Sequence, residues 1–204
     1  AAVTYNTTID FQGNYYNIAG QQGYFGFGGT GDPMSYMIEN VVTGDGVDAI
    51  VNFAAESHVD RSTKARAGEF IDTNVYGAYV MLEATRQVNR GARFLQVGTD
   101  EVYGDVPFPE FPTEQAMLAP SSPYSAAKAG ADHIALAFHR THQMDVIVSR
   151  CTNNYGPNQY PEKVIPVFVT NALDGEPLPL YDGGTQVRDW LRVEDHCRAL
   201  LLLL

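Results

Sequence analysis

The sequence predicts an α/β fold built on a doubly wound parallel sheet. Three short apolar segments alternate with two long amphipathic segments, in the order strand, helix, strand, helix, strand. This order at these lengths is typical of a parallel sheet with helices packed on its faces. Polar residues capable of chemistry follow the strands directly, and ligands bind beyond the carboxyl ends of strands in such sheets. The sequence therefore predicts both the fold class and the edge at which a site would lie.

The first three elements are two strands and the helix between them. Residues 47–53 form a short apolar run, as expected for a buried parallel strand. Apolar residues recur at helical spacing through residues 70–90, and Gly91 follows, which predicts an amphipathic helix ending there. Residues 92–97, with Phe94, Leu95 and Val97, predict the next strand.

The later elements follow a proline-rich connection. Residues 107–123 contain five prolines and predict an irregular loop, long enough to form a rim or lid. A second long helix is predicted at 123–143 and a third strand at 145–150. Beyond Pro157 the pattern is less regular, with a helix near 162–173, a short strand near 178–181 and a final helix at the end of the chain.

Composition narrows the class of protein. The 204 residues are 45% hydrophobic and 18% charged, which is ordinary for a soluble globular protein. A net charge of −11 argues against nucleic acid or an anionic membrane as a partner. Cys151 and Cys197 are too few for a disulfide framework, and no secretory signal or membrane-length segment is seen, so we expect a cytoplasmic protein. His58 is expected to be a packed structural histidine, and no residue spacing suggests a metal site.

The most informative residues lie just after the second predicted strand and at the start of the second long helix. Thr99, Asp100 and Glu101 follow the strand, and Tyr124 and Lys128 lie one helical turn apart. An ammonium on the same helix face stabilises a phenolate, which lowers a tyrosine pKa from its usual value of about 10. Adjacent carboxylates suit acid and base roles, because repulsion and burial keep one of them protonated near neutrality.

Each of these residues also has a purely structural interpretation. Asp100 and Glu101 could be a solvated loop pair, or Asp100 a helix cap. Thr99 could satisfy backbone groups at the strand end, and Lys128 could be a surface lysine. The combination with Tyr124 favours the chemical interpretation.

At these residues the chain resembles dTDP-glucose 4,6-dehydratases, of the extended short-chain dehydrogenase/reductase superfamily, whose sheet is Rossmann-like. The resemblance runs from about Val47 to Leu200. The segments that carry it are Asn52 to Ser62, Thr99 to Gly104, Tyr124 to Lys128, Arg150 to Pro157, Glu162 to Pro166 and Arg188 to Trp190.

The resemblance implies an NAD-dependent lyase that converts dTDP-glucose to dTDP-4-keto-6-deoxyglucose in dTDP-rhamnose biosynthesis. By this resemblance NAD takes a hydride from C4 of the glucose while Tyr124 takes the hydroxyl proton, and Thr99 bonds the C4 oxygen. Glu101 then removes the C5 proton, Asp100 protonates the departing C6 hydroxyl, and the hydride returns to C6. The catalytic set is thus Thr99, Asp100, Glu101, Tyr124 and Lys128.

The same resemblance assigns binding residues and a division of the chain. Residues 1–156 would form the NAD-binding domain, and residues 157–204 part of the nucleotide-sugar-binding region. The implied NAD contacts are Asp32, Phe53, Ala54, Ala55, Ser57, Thr73, Tyr124, Lys128 and Asn154. The implied substrate contacts are Ser57, Thr99, Asn153, Lys163, Val164, Pro179, Leu180, Tyr181 and Arg188.

A glycine-rich segment near the start has two interpretations. Residues 26–31 fit the spacing of a dinucleotide-binding turn, but only two residues precede them as a strand and no acidic residue closes the strand after them. The segment is expected to be a loose glycine loop, with Asp32 near the adenine by resemblance. Thr7 stands where the family has an aspartate for the ribose, and a threonine does not offer the same two acceptors.

Both ends are expected to be truncated relative to the family. The first strand and the glycine turn would lie before residue 1, and the final helix stops without a cap. A chain without that turn lacks the backbone donors for the cofactor pyrophosphate, so we expect no turnover from these 204 residues alone.

Three alternatives stay open from the sequence. Nucleotide-sugar 4-epimerases and decarboxylases of the superfamily share the tyrosine and lysine, and Asp100 discriminates against them because loss of the C6 hydroxyl needs an acid. An inert nucleotide-sugar-binding fragment is a third possibility.

The resemblance also implies a homodimer. Its contact would be a four-helix interface, with Val80, Leu82, Ile134 and Phe138 as the candidate contacts. The alternative is that these side chains face the chain's own sheet.

Overall fold

The computed structural model describes residues 8–10, 15–18, 21–24, 47–57, 67–107 and 109–204. Thr7, the glycine segment 26–31, Asp32 and His58 lie outside the described residues. The described residues fall into two compact units. The first comprises those within 1–150 together with Leu204, and the second those within 151–203.

The first unit holds two separate three-stranded sheets. Strands β1 (Thr8–Asp10), β2 (Tyr15–Ile18) and β3 (Gln21–Tyr24) pair antiparallel in chain order. The second sheet has the order β4-β5-β6, formed by Ala49–Asn52, Arg93–Thr99 and Val146–Cys151.

The second sheet confirms the α/β class. Strands β4 and β5 are parallel, with Ala49 opposite Arg93 and Asn52 opposite Gln96. The central strand β5 is buried from its second residue to its end at Thr99. Strand β4 is shorter than the predicted 47–53. At its end the side-chain oxygen of Asn52 accepts a hydrogen bond from the amide of Ala54, a local bond that competes with strand pairing.

The predicted helix at 70–90 is interrupted by a turn of π-helix. Helix α1 (Ala67–Phe70) leads into a π-helical segment (Ile71–Tyr76), and helix α2 (Gly77–Val88) continues from it. Helical periodicity alone does not reveal such a turn, which inserts one residue and shifts the face that follows. π-Helical turns occur frequently at functional sites.

Helix α3 (Pro123–His142) begins at a strongly fixed point. Ser122 and Ser125 form a reciprocal capping box, each side chain accepting from the other's backbone amide, and proline occupies the first turn. The helix ends at Gln143, which adopts the left-handed conformation. The capping box fixes the position of Tyr124, which lies in the first turn.

The core of the first unit lies between the helices α2 and α3 and the strand β5. Its fully buried members are Leu82, Phe94, Ala135 and Met144. Ile134 and Phe138 are partly buried against the same cluster. The expectation that Leu82 contacts a second subunit is therefore wrong, because its side chain is enclosed within its own chain.

The second unit is smaller and contains one strand pair. Strand β7 (Asn153–Tyr155) pairs parallel with β8 (Trp190–Arg192). Helices α4 (Val164–Asp174) and α5 (Val193–Leu203) complete it, with a 3₁₀ turn at Tyr181–Gly184.

The strand predicted near 178–181 is absent from the described second unit. Residues 175–180 have no regular structure there. Pro177 and Pro179 remove two amide donors that a ladder would need, which explains the difference. No helix in the described part of the chain is long and apolar enough to cross a bilayer.

Close packing at Gly98 generates a stability prediction. A Cβ atom there would lie 2.5 Å from the carbonyl oxygen of Ser149 and 3.0 Å from Oδ1 of Asp132. Gly98→Ala should therefore lower the free energy of unfolding by about 1–3 kcal/mol, as overpacked positions do. Urea denaturation of the two proteins measures the change.

The matched control is Gly68→Ala in helix α1. Its added methyl group meets nothing within 4 Å, so it should be neutral or stabilise by about 0.5–1 kcal/mol. Equal behaviour of the two variants would contradict the packing argument.

Candidate active site

The end of strand β5 turns directly into a short 3₁₀ helix at Asp100–Tyr103. Thr99 caps this helix: its hydroxyl accepts from the amide of Glu101 and donates to Oδ1 of Asp100, both at 3.3 Å. Thr99 is buried, and Asp100 and Glu101 are half-buried. The cap is thus Thr99 and not Asp100, and the two carboxylates lie in the first turn at the carboxyl edge of the sheet.

The turn is held from the opposite side by the proline-rich loop. The amide of Ala119 donates to the carbonyl of Val102 at 3.0 Å. Gly104 has φ of 74°, and a Cβ atom there would meet the carbonyl oxygen of Ala119 at 2.2 Å. Only glycine lets the loop approach this closely.

Tyr124 and Lys128 are both buried on helix α3, at 9% and 4% exposure. The Tyr124 ring packs edge to face on Phe70, with ring centroids 6.3 Å apart. The Lys128 ammonium donates to the carbonyl oxygen of Val97 at 2.6 Å. Lys128 is therefore not a surface lysine, and its charged end lies against strand β5 two residues before Thr99.

These contacts bring the predicted catalytic segments of the first unit together. Helix α3 packs against both β5 and the 3₁₀ helix Asp100–Tyr103. The hydroxyl, the two carboxylates, the phenol and the ammonium therefore belong to two adjoining elements at one edge of the sheet. Their catalytic roles stay predictions.

A second loop, residues 53–57, leaves the same edge of the sheet from strand β4. Its backbone is clamped by Asn74 of the π-helical segment. The Glu56 amide donates to Oδ1 of Asn74 at 2.8 Å, and Nδ2 of Asn74 donates to the Glu56 carbonyl at 3.1 Å. Because Asn74 is buried, these bonds fix the course of the loop.

A buried amide pair supports this loop from beneath. Nδ2 of Asn52 donates to Oε1 of Gln96 at 2.9 Å, across the two paired strands. The sequence analysis missed Asn74 and Gln96. A polar Gln96 inside an apolar strand was the available signal.

The loop presents the predicted cofactor contacts to solvent. Phe53, Ala54 and Ser57 are exposed, and Ala55 is half-buried, while the clamping side chains are buried. Thr73, half-buried, lies in the π-helical segment beside Asn74. A loop held in place beyond the carboxyl end of a parallel strand lies where ligands bind in open α/β sheets.

A third feature missed by sequence reasoning is an ion pair beneath the catalytic segments. Asp132, fully buried one turn after Lys128, accepts from Nε of Arg150 at 2.8 Å. Burial raises the pKa of the Asp132 carboxyl, and the hydrogen bond from Arg150 opposes the rise. Burial alone would lower the pKa of Arg150, but hydrogen bonds to Asp132 and Tyr103 outweigh it and raise that pKa.

The remaining predicted site residues belong to the second unit, except Asp32, which lies outside the described residues. Asn153 and Asn154 lie on β7, and Nδ2 of Asn154 donates to the Thr152 carbonyl at 3.1 Å. Oδ1 of Asn154 is buried without a hydrogen-bond partner. Lys163, half-buried, precedes helix α4 and lies 3.7 Å from Glu162.

The other predicted substrate contacts of the second unit are exposed or lie in the 3₁₀ turn. Val164 begins helix α4 and is 43% exposed. Arg188 is exposed and donates to the carbonyl of Val187. Pro179 and Leu180 are exposed and directly precede the 3₁₀ turn, which begins at Tyr181.

Comparison with known proteins identifies the family. The model of the family described as GDP-mannose 4,6 dehydratase matches residues 33–204. A dTDP-glucose 4,6-dehydratase from Streptomyces niveus is 53% identical over 168 residues, which cover 82% of this chain and 48% of that protein. One from Escherichia coli is 47% identical over 197 residues, which cover 83% and 54%.

A solved structure agrees in fold. DesIV, a dTDP-glucose 4,6-dehydratase from Streptomyces venezuelae crystallised with NAD and TYD bound, matches with a TM-score of 0.74 and 53% identity. The match covers 78% of this chain and 48% of that one.

The fold and the comparisons define a Rossmann-like α/β protein. The chain belongs to the GDP-mannose 4,6 dehydratase family. It spans about half the length of the curated relatives it matches.

The Asn74 clamp generates a prediction about the cofactor loop. In Asn74→Asp, a carboxylate still accepts from the Glu56 amide but faces the Glu56 carbonyl with a second acceptor. The hydrogen bond from Nδ2 to the Glu56 carbonyl is then lost. The free energy of unfolding should fall by about 1–3 kcal/mol, the cost of leaving a buried polar group unsatisfied. Amide hydrogen exchange across residues 54–57 should become faster.

Asn171→Asp is the matched control, because the Asn171 side chain also donates to a backbone carbonyl, that of Pro177, within the second unit. Unchanged exchange at residues 54–57 in Asn74→Asp would show that the clamp does not hold the loop.

Proposed function

We propose that the protein is an NAD-dependent dTDP-glucose 4,6-dehydratase, which converts dTDP-glucose to dTDP-4-keto-6-deoxyglucose with loss of water. One observation carries the proposal: Asp100 and Glu101 lie in a capped turn that packs against the helix bearing Tyr124 and Lys128. Tyr124 and Lys128 suit removal of a hydroxyl proton during hydride transfer, and Asp100 and Glu101 suit acid and base roles. The reaction needs both pairs at one place. The names of the relatives at 47–53% identity support it.

NAD fits the residues present. Loop 53–57 offers an exposed backbone edge held by buried side chains, and the buried Lys128 ammonium lies near the end of β5. Phe53, Ala54, Ala55, Ser57 and Thr73 would contact the cofactor, and Lys128 its nicotinamide ribose. When bound, NAD supplies the acceptor for the C4 hydride and returns that hydride to C6.

The chain's own residues move the protons. Tyr124 takes the proton of the C4 hydroxyl, assisted by the nearby Lys128 charge, and Thr99 bonds the C4 oxygen. Glu101 removes the proton from C5, which the new C4 ketone has acidified. Asp100 protonates the C6 hydroxyl, which leaves as water.

The proton balance closes without another reactant. Glu101, whose carboxyl proton exchanges with solvent, protonates C5 when C6 receives the hydride. The proton gained by Tyr124 and the one lost by Asp100 exchange with solvent.

The second unit would hold the nucleotide diphosphate. Lys163 and Arg188 carry the positive charge that a diphosphate requires, and charge-assisted bonds of this type are strong. Asn153 and Asn154 are amide donors, and the buried Oδ1 of Asn154 without a partner supports a ligand contact there. Val164 and the segment from Pro179 to Tyr181 would contact the rest of the substrate.

We extend the proposal to a cytoplasmic homodimer acting in dTDP-rhamnose biosynthesis. Val80, Ile134 and Phe138 lie on the paired helices α2 and α3, and all three are only partly buried. Sedimentation of the full-length protein tests the association, and a monomer at micromolar concentration would contradict it.

The role of Asp100 as general acid generates a kinetic prediction. In the full-length protein, Asp100→Asn should keep oxidation at C4 but slow loss of water, because an amide does not donate a proton to the leaving group. The overall rate should fall by about 10²–10⁴. Reduced cofactor should accumulate after mixing with dTDP-glucose, as its absorbance would show.

Asp105→Asn is the control, because Asp105 is an exposed carboxylate in the loop that follows the turn. If Asp100→Asn retained a rate within a few-fold of the unmodified protein, the acid role would be wrong.

The role of Glu101 as base is tested by isotope exchange. Glu101→Gln should block incorporation of solvent deuterium at C5, because no group would remove the C5 proton. Mass spectrometry of the sugar measures the incorporation. Glu110→Gln, at an exposed glutamate of the proline-rich loop, should leave it unchanged. Full deuterium incorporation in Glu101→Gln would assign the base to another residue.

A further inference from the structure

Arg150 lies at the centre of a partly buried network beneath the candidate active site. Its Nε donates to Oδ2 of Asp132 at 2.8 Å, and its Nη1 donates to the hydroxyl of Tyr103 at 2.9 Å. The guanidinium also stacks over the Tyr103 ring, 5.2 Å from its centroid. A further contact of Nη1, at 3.5 Å, reaches the carbonyl of Glu114 in the proline-rich loop.

The two partners of Arg150 stand on the two elements that carry the proposed chemistry. Tyr103 ends the 3₁₀ helix that begins with Asp100, so it lies two residues after Glu101. Asp132 lies on helix α3 at one turn from Lys128 and two turns from Tyr124. The guanidinium is therefore a direct bridge between the carboxylate turn and the phenol helix.

The network has features that stability alone does not explain. Asp132 Oδ1 is buried and has no hydrogen-bond partner, which costs free energy. The side chain of a residue larger than glycine at position 98 would meet this same oxygen. Replacing a buried ion pair by apolar side chains of similar volume often leaves a protein equally stable or more stable. Stability therefore does not explain why the protein has the Asp132–Arg150 pair at this position.

We propose that Arg150 is a positioning residue for the reaction, which fixes the carboxylates of Asp100 and Glu101 relative to Tyr124 by holding Tyr103 and Asp132 at once. This inference rests on the proposed dehydratase function. A guanidinium suits the task because its planar fork presents two donors at a fixed angle, which the single ammonium of lysine does not.

The sharpest test is Tyr103→Phe in the full-length protein, which removes one hydroxyl and keeps the ring. The carboxylate turn should then lose its fixed position. Because small misplacement of reacting groups costs up to about a hundredfold in rate, kcat should fall about ten- to a hundredfold. KM should stay within about twofold, since neither Tyr103 nor Arg150 is placed in contact with substrate.

The same variant should affect one chemical step more than the other. Oxidation at C4 depends on Tyr124 and the cofactor, so reduced cofactor should form at a normal rate and then persist while water loss is slow. Tyr76→Phe is the matched control, because Tyr76 is an exposed tyrosine on the π-helical segment and lies outside this network.

Arg150→Lys keeps the charge and removes the fork, so kcat should fall by a similar factor while KM stays within about twofold. Arg86→Lys is its control, because Arg86 pairs with Glu83 at the surface of helix α2. If Arg150→Lys fails to fold, Tyr103→Phe still decides the question.

A second readout does not depend on turnover. Amide hydrogen exchange at residues 101–104 should become at least about tenfold faster in Tyr103→Phe, while exchange in strand β5 stays unchanged. The inference would be overturned if Tyr103→Phe left both kcat and amide exchange at residues 101–104 unchanged. If the unmodified protein does not dehydrate dTDP-glucose, the proposed function fails, and the exchange measurement still tests whether Arg150 holds the turn.

Discussion

Charged contacts buried between helix α3 and the sheet are the feature on which the rest of the structure depends. Lys128 bonds a backbone carbonyl of β5, and Asp132 pairs with Arg150 at the end of β6. Removing one partner of a buried ion pair typically costs about 3–5 kcal/mol, because the other charge stays buried and uncompensated. The helix is therefore held against the sheet at two successive turns. These contacts also fix the position of Tyr124, which lies one turn before Lys128.

Polar side chains also shape the loops at the carboxyl edge of the sheet. Asn74 holds the loop after β4 through paired amide bonds, and Thr99 caps the turn after β5. These bonds use side chains to satisfy backbone groups where strand pairing ends. The backbone is consequently set before a ligand arrives, which reduces the entropy that binding must overcome.

Within the family, the two carboxylates after β5 give the chain its proposed specialisation. Oxidation of a sugar carbon needs only the phenol, the ammonium and the cofactor. Loss of a neighbouring hydroxyl needs an acid and a base as well, and Asp100 and Glu101 stand half-buried in one turn. Burial at this edge makes their charges interact more strongly with a substrate than they would in water.

The sequence by itself determined the α/β class, the order of the elements around β5 and the five candidate catalytic residues, because periodicity and motif spacing are local properties. It did not reveal the π-helical turn at Ile71–Tyr76, the Asn74 clamp or the Arg150 bridge. The enclosure of Leu82 was also decided by tertiary packing. Such features join residues far apart in the chain, so only the folded structure brings their partners within bonding distance.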